Sequence, residues 1–297
     1  MSDFLTAIAA MNIEIRRGEP LSRYTSFRIG GPARAIIAAR RLGDAVTVIR
    51  TAREYGETLK ILGGGTNILA PDAGYDGFIL LPSWDGVRKI GDVTIEAGAG
   101  VSKAALAVYA QREGLAGLEF AHGIPGTVGG GVYMNAGAYG GEMSQVAVST
   151  IAVDSAGNTV EIAAAEHHFS YRASIFRENP GLTILSTRFN LTRDDPAAIR
   201  ARMDGLMARR RERQPLEYPS AGSVFKRPQG HFAGRLIEDS GLKGYSIGGA
   251  QVSEKHAGFI INRGGATSGD VLRLIEYIKT TVLKNYSIEL ECEIEIW

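Results

Sequence analysis

Apolar and polar positions change period several times along the chain, and each change predicts an element. Phe4, Leu5, Ile8 and Met11 recur at helical spacing and predict a short opening helix. A strand is expected from Ala33 to Ala38, a helix from Leu42 to Tyr55, and a short strand from Leu59 to Leu62. The coil Gly63-Gly64-Gly65-Thr66-Asn67 interrupts that strand, and two more follow around Phe78 to Leu81 and Val93 to Ala97. Ser102 is placed to cap the next helix, whose apolar face includes Leu106 and Tyr109. Val148 to Val153 and Val160 to Ile162, separated by DSAGNT, predict a hairpin, and Leu182 to Leu191 a further strand.

Asp195-Pro196 reads as a helix start, with Asp as cap and Pro in the first turn. Ile199, Met203, Leu206 and Met207 then form an apolar face, and Arg209, Arg210, Arg211 and Arg213 are expected to solvate the helix end. A short helix is predicted around Gly234 to Asp239 and a longer one from about Asp270 to Tyr286. Thr267 and Asp270 fit a capping start there, and Val271, Ile275, Ile278 and Val282 mark its buried face. From Ile288 to Ile296 the chain alternates with period two, which places Glu289, Glu291, Glu293 and Glu295 on one face of a strand. Most of this row should face solvent, with at least one carboxylate available to a cleft. Short strands mixed with helices indicate an α/β or α+β protein.

Composition narrows the function. The 297 residues carry 33 basic and 32 acidic side chains, so no sequence-wide charge draws the chain to nucleic acid or an anionic membrane. No run approaches the ~20 apolar residues of a bilayer span, and the opening segment lacks a basic head before its apolar stretch. A cytoplasmic setting is expected. Cys292 stands alone, which excludes an internal disulfide and a cysteine-rich zinc site, and it reads as a structural thiol. The five histidines show no ligand spacing, so no metal is expected.

The 38 glycines exceed the usual share of about 7% and cluster in two places. In ILGGGTN, successive backbone amides of Gly63, Gly64 and Gly65, with Thr66 and Asn67, suit a diphosphate, although an ordinary turn would read alike. In GLEFAHGIPGTVGGGVYMNAGAYGG, backbone at Gly123, Ile124, Gly126, Thr127 and Gly130 could press against a flat ring system, with Asn135 and Tyr139 as possible pocket residues. The chain lacks G-x-G-x-x-G after a strand and lacks the P-loop pattern, which weighs against a standard dinucleotide fold and a nucleotide triphosphatase. Arg172 lies among apolar and aromatic neighbours and would clamp a carboxylate in a pocket or pair with a structural one. Ser223, between a glycine and an apolar pair, suits an aimed hydroxyl but not the serine-hydrolase elbow.

These residues carry a resemblance over nearly the whole chain. TSFRIGGPA, ILGGGTNIL, GLEFAHGIPGTVGGGVYMNAGAYGG, FSYRASIF, QPLEYPSAGSVFKRP, GLKGYSIGGAQVSEKHAGFIIN and IELECEIEI, in this order, resemble the UDP-N-acetylenolpyruvoylglucosamine reductase family. The resemblance implies an α+β fold. A two-subdomain FAD-binding unit of the vanillyl-alcohol-oxidase (PCMH) type, residues 1–82 and 83–195, would precede a C-terminal α/β substrate domain, residues 196–297. It also implies the compact branch of the family, which has no extra tyrosine-bearing substrate loop.

The implied reaction is NADPH-dependent, FAD-mediated reduction of UDP-N-acetylglucosamine enolpyruvate to UDP-N-acetylmuramate, with FAD bound non-covalently. Arg172 matches the family arginine that stabilises the developing enolate, Glu293 the glutamate that assists it, and Ser223 the proton donor. Gly63, Gly64, Gly65, Thr66, Asn67, Gly123, Ile124, Gly126, Thr127 and Gly130 match cofactor segments. Tyr171, Lys226, Arg227 and His256 are assigned to the substrate, with a lysine or arginine meeting the UDP phosphates. Thr127 stands where serine is frequent, and His167 and His168 have no assigned use. Competing readings are an FAD oxidase of another small polar substrate and a catalytically silent UDP-sugar-binding protein. No oligomeric state is implied, and a monomer is compatible with the sequence.

Overall fold

A computed structural model describes residues 3–84 and 86–297 and divides the chain into two compact units, neither of them one continuous run. The first comprises the described residues up to Arg17 together with Ala35–Gly64 and Gly77–Ala208. The second comprises Gly18–Arg34, Gly65–Asp76 and Arg209–Trp297. Compactness thus cuts the chain differently from the consecutive ranges implied by the resemblance.

Two larger sheets dominate the first unit. One has the strand order Glu14–Arg17, Ala33–Ala39, Tyr75–Pro82, Leu59–Ile61. The outer strand Glu14–Arg17 runs antiparallel to its neighbour, and Leu59–Ile61 runs parallel to residues 78–80. The other is antiparallel throughout, in the order Thr159–Ala163, Ala147–Val153, Thr183–Asn190, Thr94–Gly98, Val87–Lys89. The expected hairpin closes at Val153 opposite Thr159, where Gly157 takes φ 81° and the Asn158 amide donates to Asp154 Oδ1 at 2.8 Å. The helices Asp3–Ala10, Leu42–Glu54 and Lys103–Arg112 cover one shared core that includes Phe4, Val48, Phe78, Ile95, Leu106 and Phe189. Each such burial is worth roughly 1.5–3 kcal/mol, so the periodicity that placed these side chains inward also supplies the stability.

Local chemistry fixes the helix starts. Ser102 Oγ accepts from the Ala105 amide at 3.1 Å, and Asp195 Oδ2 accepts from the Ala198 amide at 2.8 Å ahead of the helix Pro196–Arg213. Ile199 and Met203 are buried as expected, whereas Leu206 and Met207 are only half-buried. Two expectations fail here. Met11 lies beyond the first helix and is 43% exposed, because that helix ends at Ala10. Arg210 is only 9% exposed, so it does not solvate the helix end with Arg209, Arg211 and Arg213.

The second unit is an antiparallel sheet in the order Ser220–Ser223, Phe259–Asn262, Ala250–Val252, Ser246–Ile247, packed with the helices Ala233–Asp239 and Ser268–Tyr286. Thr267 and Asp270 form the expected capping box, with both bonds at 3.0 Å, and Val271, Ile275, Ile278 and Val282 are buried. The early segments belong here through specific bonds. Asp72 receives the Ser268 amide and hydroxyl, both at 2.8 Å, at the positive end of the long helix. Asn262 Nδ2 donates to the Phe27 carbonyl at 3.1 Å.

The alternating C-terminal run is not one continuous strand. Cys292 bridges Phe225, and only Glu295–Ile296 forms a ladder, parallel to Ile68–Leu69. The Glu293 and Ile294 amides both point to the Val224 carbonyl, at 2.7 and 3.5 Å, so the register slips where the chain changes partner. The period still shows in burial. Leu290 and Ile294 are buried and Glu289 and Glu291 exposed, but Ile296 emerges at the surface. Cys292 is half-buried, and burial pushes its thiol pKa up, away from thiolate chemistry. Among the described residues, no helix is long and apolar enough to cross a membrane.

Candidate functional site

In the first unit the two glycine loops meet. A side-chain carbon on Gly64 would lie 2.6 Å from Gly126 Cα, and one on Gly63 would lie 2.8 Å from Thr127 Oγ1. The approach to backbone excludes a Cβ at Gly64, and one at Gly63 would displace the Thr127 hydroxyl. Thr127 caps the short helix Val128–Tyr133, its Oγ1 accepting from the Gly130 amide at 3.3 Å, a role serine would fill equally. Gly123, Ile124, Gly126, Thr127 and Gly130 keep partial exposure, while Gly129 and Gly131 are buried. Buried and accessible glycines therefore separate by purpose. Gly129 admits Ala99 and Gly131 admits the Lys103 stem and Met143, whereas Gly123, Gly126 and Gly130 keep part of their backbone exposed. A glycine-lined cradle with a hydroxyl at its rim fits a flavin dinucleotide.

The sequence offers no such reading for Lys103. Its side chain is 3% exposed, its Nζ donates to the Thr127 carbonyl at 3.4 Å, and its amide donates to the Gly126 carbonyl at 3.0 Å. A lysine in the first turn of a helix faces the positive end of the dipole. That misfit was the available signal. The structure resolves it by turning the ammonium onto the loop.

Beyond Gly64 the first glycine loop passes into the second unit, where Gly65 is buried. With φ 59°, it lies where a side chain would strike the Tyr24 carbonyl, so close packing requires glycine here. Thr66 and Asn67 are half-buried. Asn67 Nδ2 donates to the Glu293 carbonyl at 3.0 Å, and the Asn67 carbonyl accepts from the Glu295 amide at 2.8 Å. Asn67 thus anchors the terminal strand.

Arg172, in the first unit, sits in a tight turn. Ser170 and Ala173 exchange both backbone hydrogen bonds at 3.2 Å, leaving Tyr171 and Arg172 at the tip. Arg172 takes φ 57°, a left-handed conformation that usually calls for glycine or asparagine at the third position of a turn. A bulky side chain held there is strained, and such strain concentrates at functional positions. Its guanidinium donates to the Gly137 carbonyl at 3.3 Å and lies 5.0 Å from the Tyr171 ring centre, while Tyr171 itself is 52% exposed. Asn135 and Tyr139, read from sequence as possible pocket residues, differ. Tyr139 is exposed, but Asn135 is buried and spends its amide within the chain. His167 is fully buried, bonded to Thr150 at 2.9 Å and stacked on Phe169, which gives it a place in the core.

In the second unit Ser223 ends its strand opposite Phe259, directly after Gly222 at φ 79°. The register slip between Ser220 and Ser223 leaves Ser223 half-exposed between buried Ala221 and Val224. The C-terminal run lies alongside. The Glu293 amide donates to the Val224 carbonyl, and the Lys226 amide to the Glu291 carbonyl at 2.9 Å. Ser223 and half-buried Glu293, 70 positions apart in sequence, are thereby neighbours.

His256 joins them from another direction. Its Nδ1 accepts from the Gly258 amide at 3.1 Å, and a side-chain carbon on Gly258 would lie 3.0 Å from the His256 ring and 3.4 Å from Ser223 Oγ. Burial pushes the His256 pKa down, favouring neutral imidazole. Lys226 Nζ pairs with Glu291 at 2.9 Å, a solvent-facing contact worth little net stability. Arg227 is exposed, its guanidinium 3.9 Å from the Phe232 ring centre. Of the expected trio, Ser223 and Glu293 thus belong to one compact unit and Arg172 to the other.

Comparison with known proteins divides the chain into consecutive runs. Residues 33–163 match the FAD binding domain family, and residues 214–297 match the C-terminal domain of UDP-N-acetylenolpyruvoylglucosamine reductase. The chain is 46% identical to the UDP-N-acetylenolpyruvoylglucosamine reductase of Clostridium novyi over 286 residues, covering 95% of this chain and 92% of that protein. It is 44% identical to the enzyme of the same name from Latilactobacillus sakei over 290 residues, covering 97% and 95%. Among solved structures, that of UDP-N-acetylenolpyruvylglucosamine reductase from Thermus caldophilus matches with a TM-score of 0.81 and 33% identity, covering 96% of this chain and 98% of that one. The fold is therefore an FAD-binding unit of the vanillyl-alcohol-oxidase type joined to a separate C-terminal domain. By sequence over its length and by fold, this chain belongs to the UDP-N-acetylenolpyruvoylglucosamine reductase family.

Proposed function

We propose that this chain reduces UDP-N-acetylglucosamine enolpyruvate to UDP-N-acetylmuramate at the expense of NADPH, a step of peptidoglycan precursor synthesis carried out in the cytoplasm. The observation that carries this reading is the end-to-end family match, which includes the segments holding Arg172, Ser223 and Glu293. Non-covalently bound FAD would supply the hydride carrier between NADPH and the enolpyruvyl double bond. Gly63, Gly64, Gly65, Thr66, Asn67, Gly123, Ile124, Gly126, Thr127 and Gly130 would hold it. In chain order, residues 1–82 and 83–195 supply the FAD-binding unit and residues 196–297 the UDP-sugar domain.

Reduction adds a hydride to the terminal vinyl carbon and a proton to its neighbour, giving the lactyl ether. Between those events negative charge spreads onto the carboxylate. Arg172 supplies a fixed cation for that charge, and the strained turn holds it in place beforehand, so little reorganisation is needed during reaction. Ser223 gives the proton. Glu293, on the C-terminal segment bonded to Val224 beside Ser223, assists the stabilisation of that charge through a proton or a bridging hydrogen bond. Tyr171 and His256 contact the sugar-linked substrate, and Lys226 and Arg227 meet the diphosphate.

Purified protein reconstituted with FAD is expected to consume NADPH in step with this acceptor and to release UDP-N-acetylmuramate, identified by mass. Oxygen uptake with another substrate and no such product would overturn the reading, as would sugar binding without NADPH consumption.

A further inference from the structure

The direction of the Arg172 side chain depends on its own backbone. With φ at 57°, the peptide group after Arg172 would relax toward a commoner conformation unless its carbonyl were held. That carbonyl accepts a 2.7 Å bond from Arg177 Nη1. The donor is itself anchored. Arg177 belongs to the one-turn helix Ile175–Glu178, whose Phe176 is buried, and Ser174 at the helix start donates its hydroxyl to the Tyr133 carbonyl at 2.7 Å. On the other side of the turn Asn135, 1% exposed, donates Nδ2 to the Ser170 carbonyl at 3.1 Å and accepts from the Ser144 amide at 3.0 Å. The Ser170 side of the turn is thus fixed by a neutral amide and the Arg172 side by a guanidinium, whose charge-assisted bond is the stronger kind.

We propose that Arg177 is a positioning residue of the reaction. Its bond to the Arg172 carbonyl locks the left-handed turn and so aims the Arg172 guanidinium at the substrate carboxylate. This rests on the reading that Arg172 stabilises that carboxylate. Arg177 touches neither the reacting carbons nor the flavin in this scheme, so its effect on the reaction should pass through Arg172.

A double-mutant cycle tests this on the FAD-loaded protein. Arg177→Met should slow enolpyruvyl reduction in single turnover on the order of tenfold, leave flavin reduction by NADPH unchanged, and weaken UDP-N-acetylmuramate binding measured calorimetrically. Arg177→Lys, which keeps the charge and most of the stem, should recover part of both losses and serves if the methionine variant folds poorly. In an Arg172→Ala background, Arg177→Met should change neither rate nor product affinity further. A wild-type rate in Arg177→Met, or an equal loss in both backgrounds, would overturn the proposal while leaving Arg172 in its role. A full rate in Arg172→Ala alone would remove that role, and this proposal with it.

Discussion

Glu293 donates its amide to the carbonyl of Val224 at 2.7 Å, and Asn67 holds the Glu293 carbonyl from the other side at 3.0 Å. The backbone of the assisting glutamate is therefore fixed beside Ser223 by bonds that use the side chain of neither Glu293 nor Ser223. Ser223→Ala should accordingly leave this framework and flavin reduction by NADPH intact. It should slow formation of UDP-N-acetylmuramate by ~10²-fold or more, the usual loss for a missing proton donor. Stopped-flow spectra separating the two phases check this, and an unchanged second phase would remove Ser223 from the chemistry.

At Arg172 strain and function should come apart. Glycine accepts φ 57° without penalty and alanine does not. Arg172→Gly should therefore unfold at higher denaturant than Arg172→Ala, by about 1 kcal/mol, while both lose enolpyruvyl reduction. Equal stability of the pair would mean the turn is relaxed in solution.

Two glycines of similar appearance should respond with opposite sign. A methyl on Gly64 would enter the Gly126 backbone, whereas one on Gly43, in the helix Leu42–Glu54, meets nothing within 4 Å. Gly64→Ala should cost roughly 1–3 kcal/mol through overpacking and loosen FAD, read as a higher dissociation constant by fluorescence titration. Gly43→Ala should stabilise by about 0.5 kcal/mol and leave FAD affinity alone.

His167 predicts a pH dependence. Burial pushes its pKa below the ordinary value of 6.5, so the unfolded chain takes up a proton more readily than the folded one. Its place in the core is therefore undisturbed above pH 6.5, and stability falls as pH drops below that value toward the folded-state pKa. Melting temperatures from pH 8 to 5 should decline less steeply in His167→Gln than in the parent protein. Parallel curves would show that His167 takes up its proton as readily folded as unfolded, against the burial argument.

Periodicity carried much of the fold because it reports burial directly. The capping box at Thr267 and the face of Val271, Ile275, Ile278 and Val282 are local patterns, and they stand where the sequence places them. Partners distant in sequence leave no such trace. Nothing near Asp72 announces that it receives the Ser268 amide, and nothing in FSYRASIF reveals that Arg172 occupies a left-handed turn. The glycine clusters were legible as a group but not one by one. Gly64, Gly65 and Gly129 each let chain pass chain, against Gly126, Tyr24 and Ala99, whereas Gly130 keeps its backbone partly exposed. For Lys103 the sequence signal was only its misfit with the helix dipole, because the Thr127 carbonyl that receives its ammonium lies 24 positions away.

The interrupted second unit has a consequence for biosynthesis. Phe27, Ile29 and Leu69 end in a core completed by residues such as Val224, Ile260 and Leu274. On the ribosome these early side chains emerge long before their partners, and at roughly 5–20 residues per second the intervening stretch takes on the order of ten seconds to translate. For that interval the nascent chain displays sticky segments with nowhere to go, which makes it a natural client for chaperones.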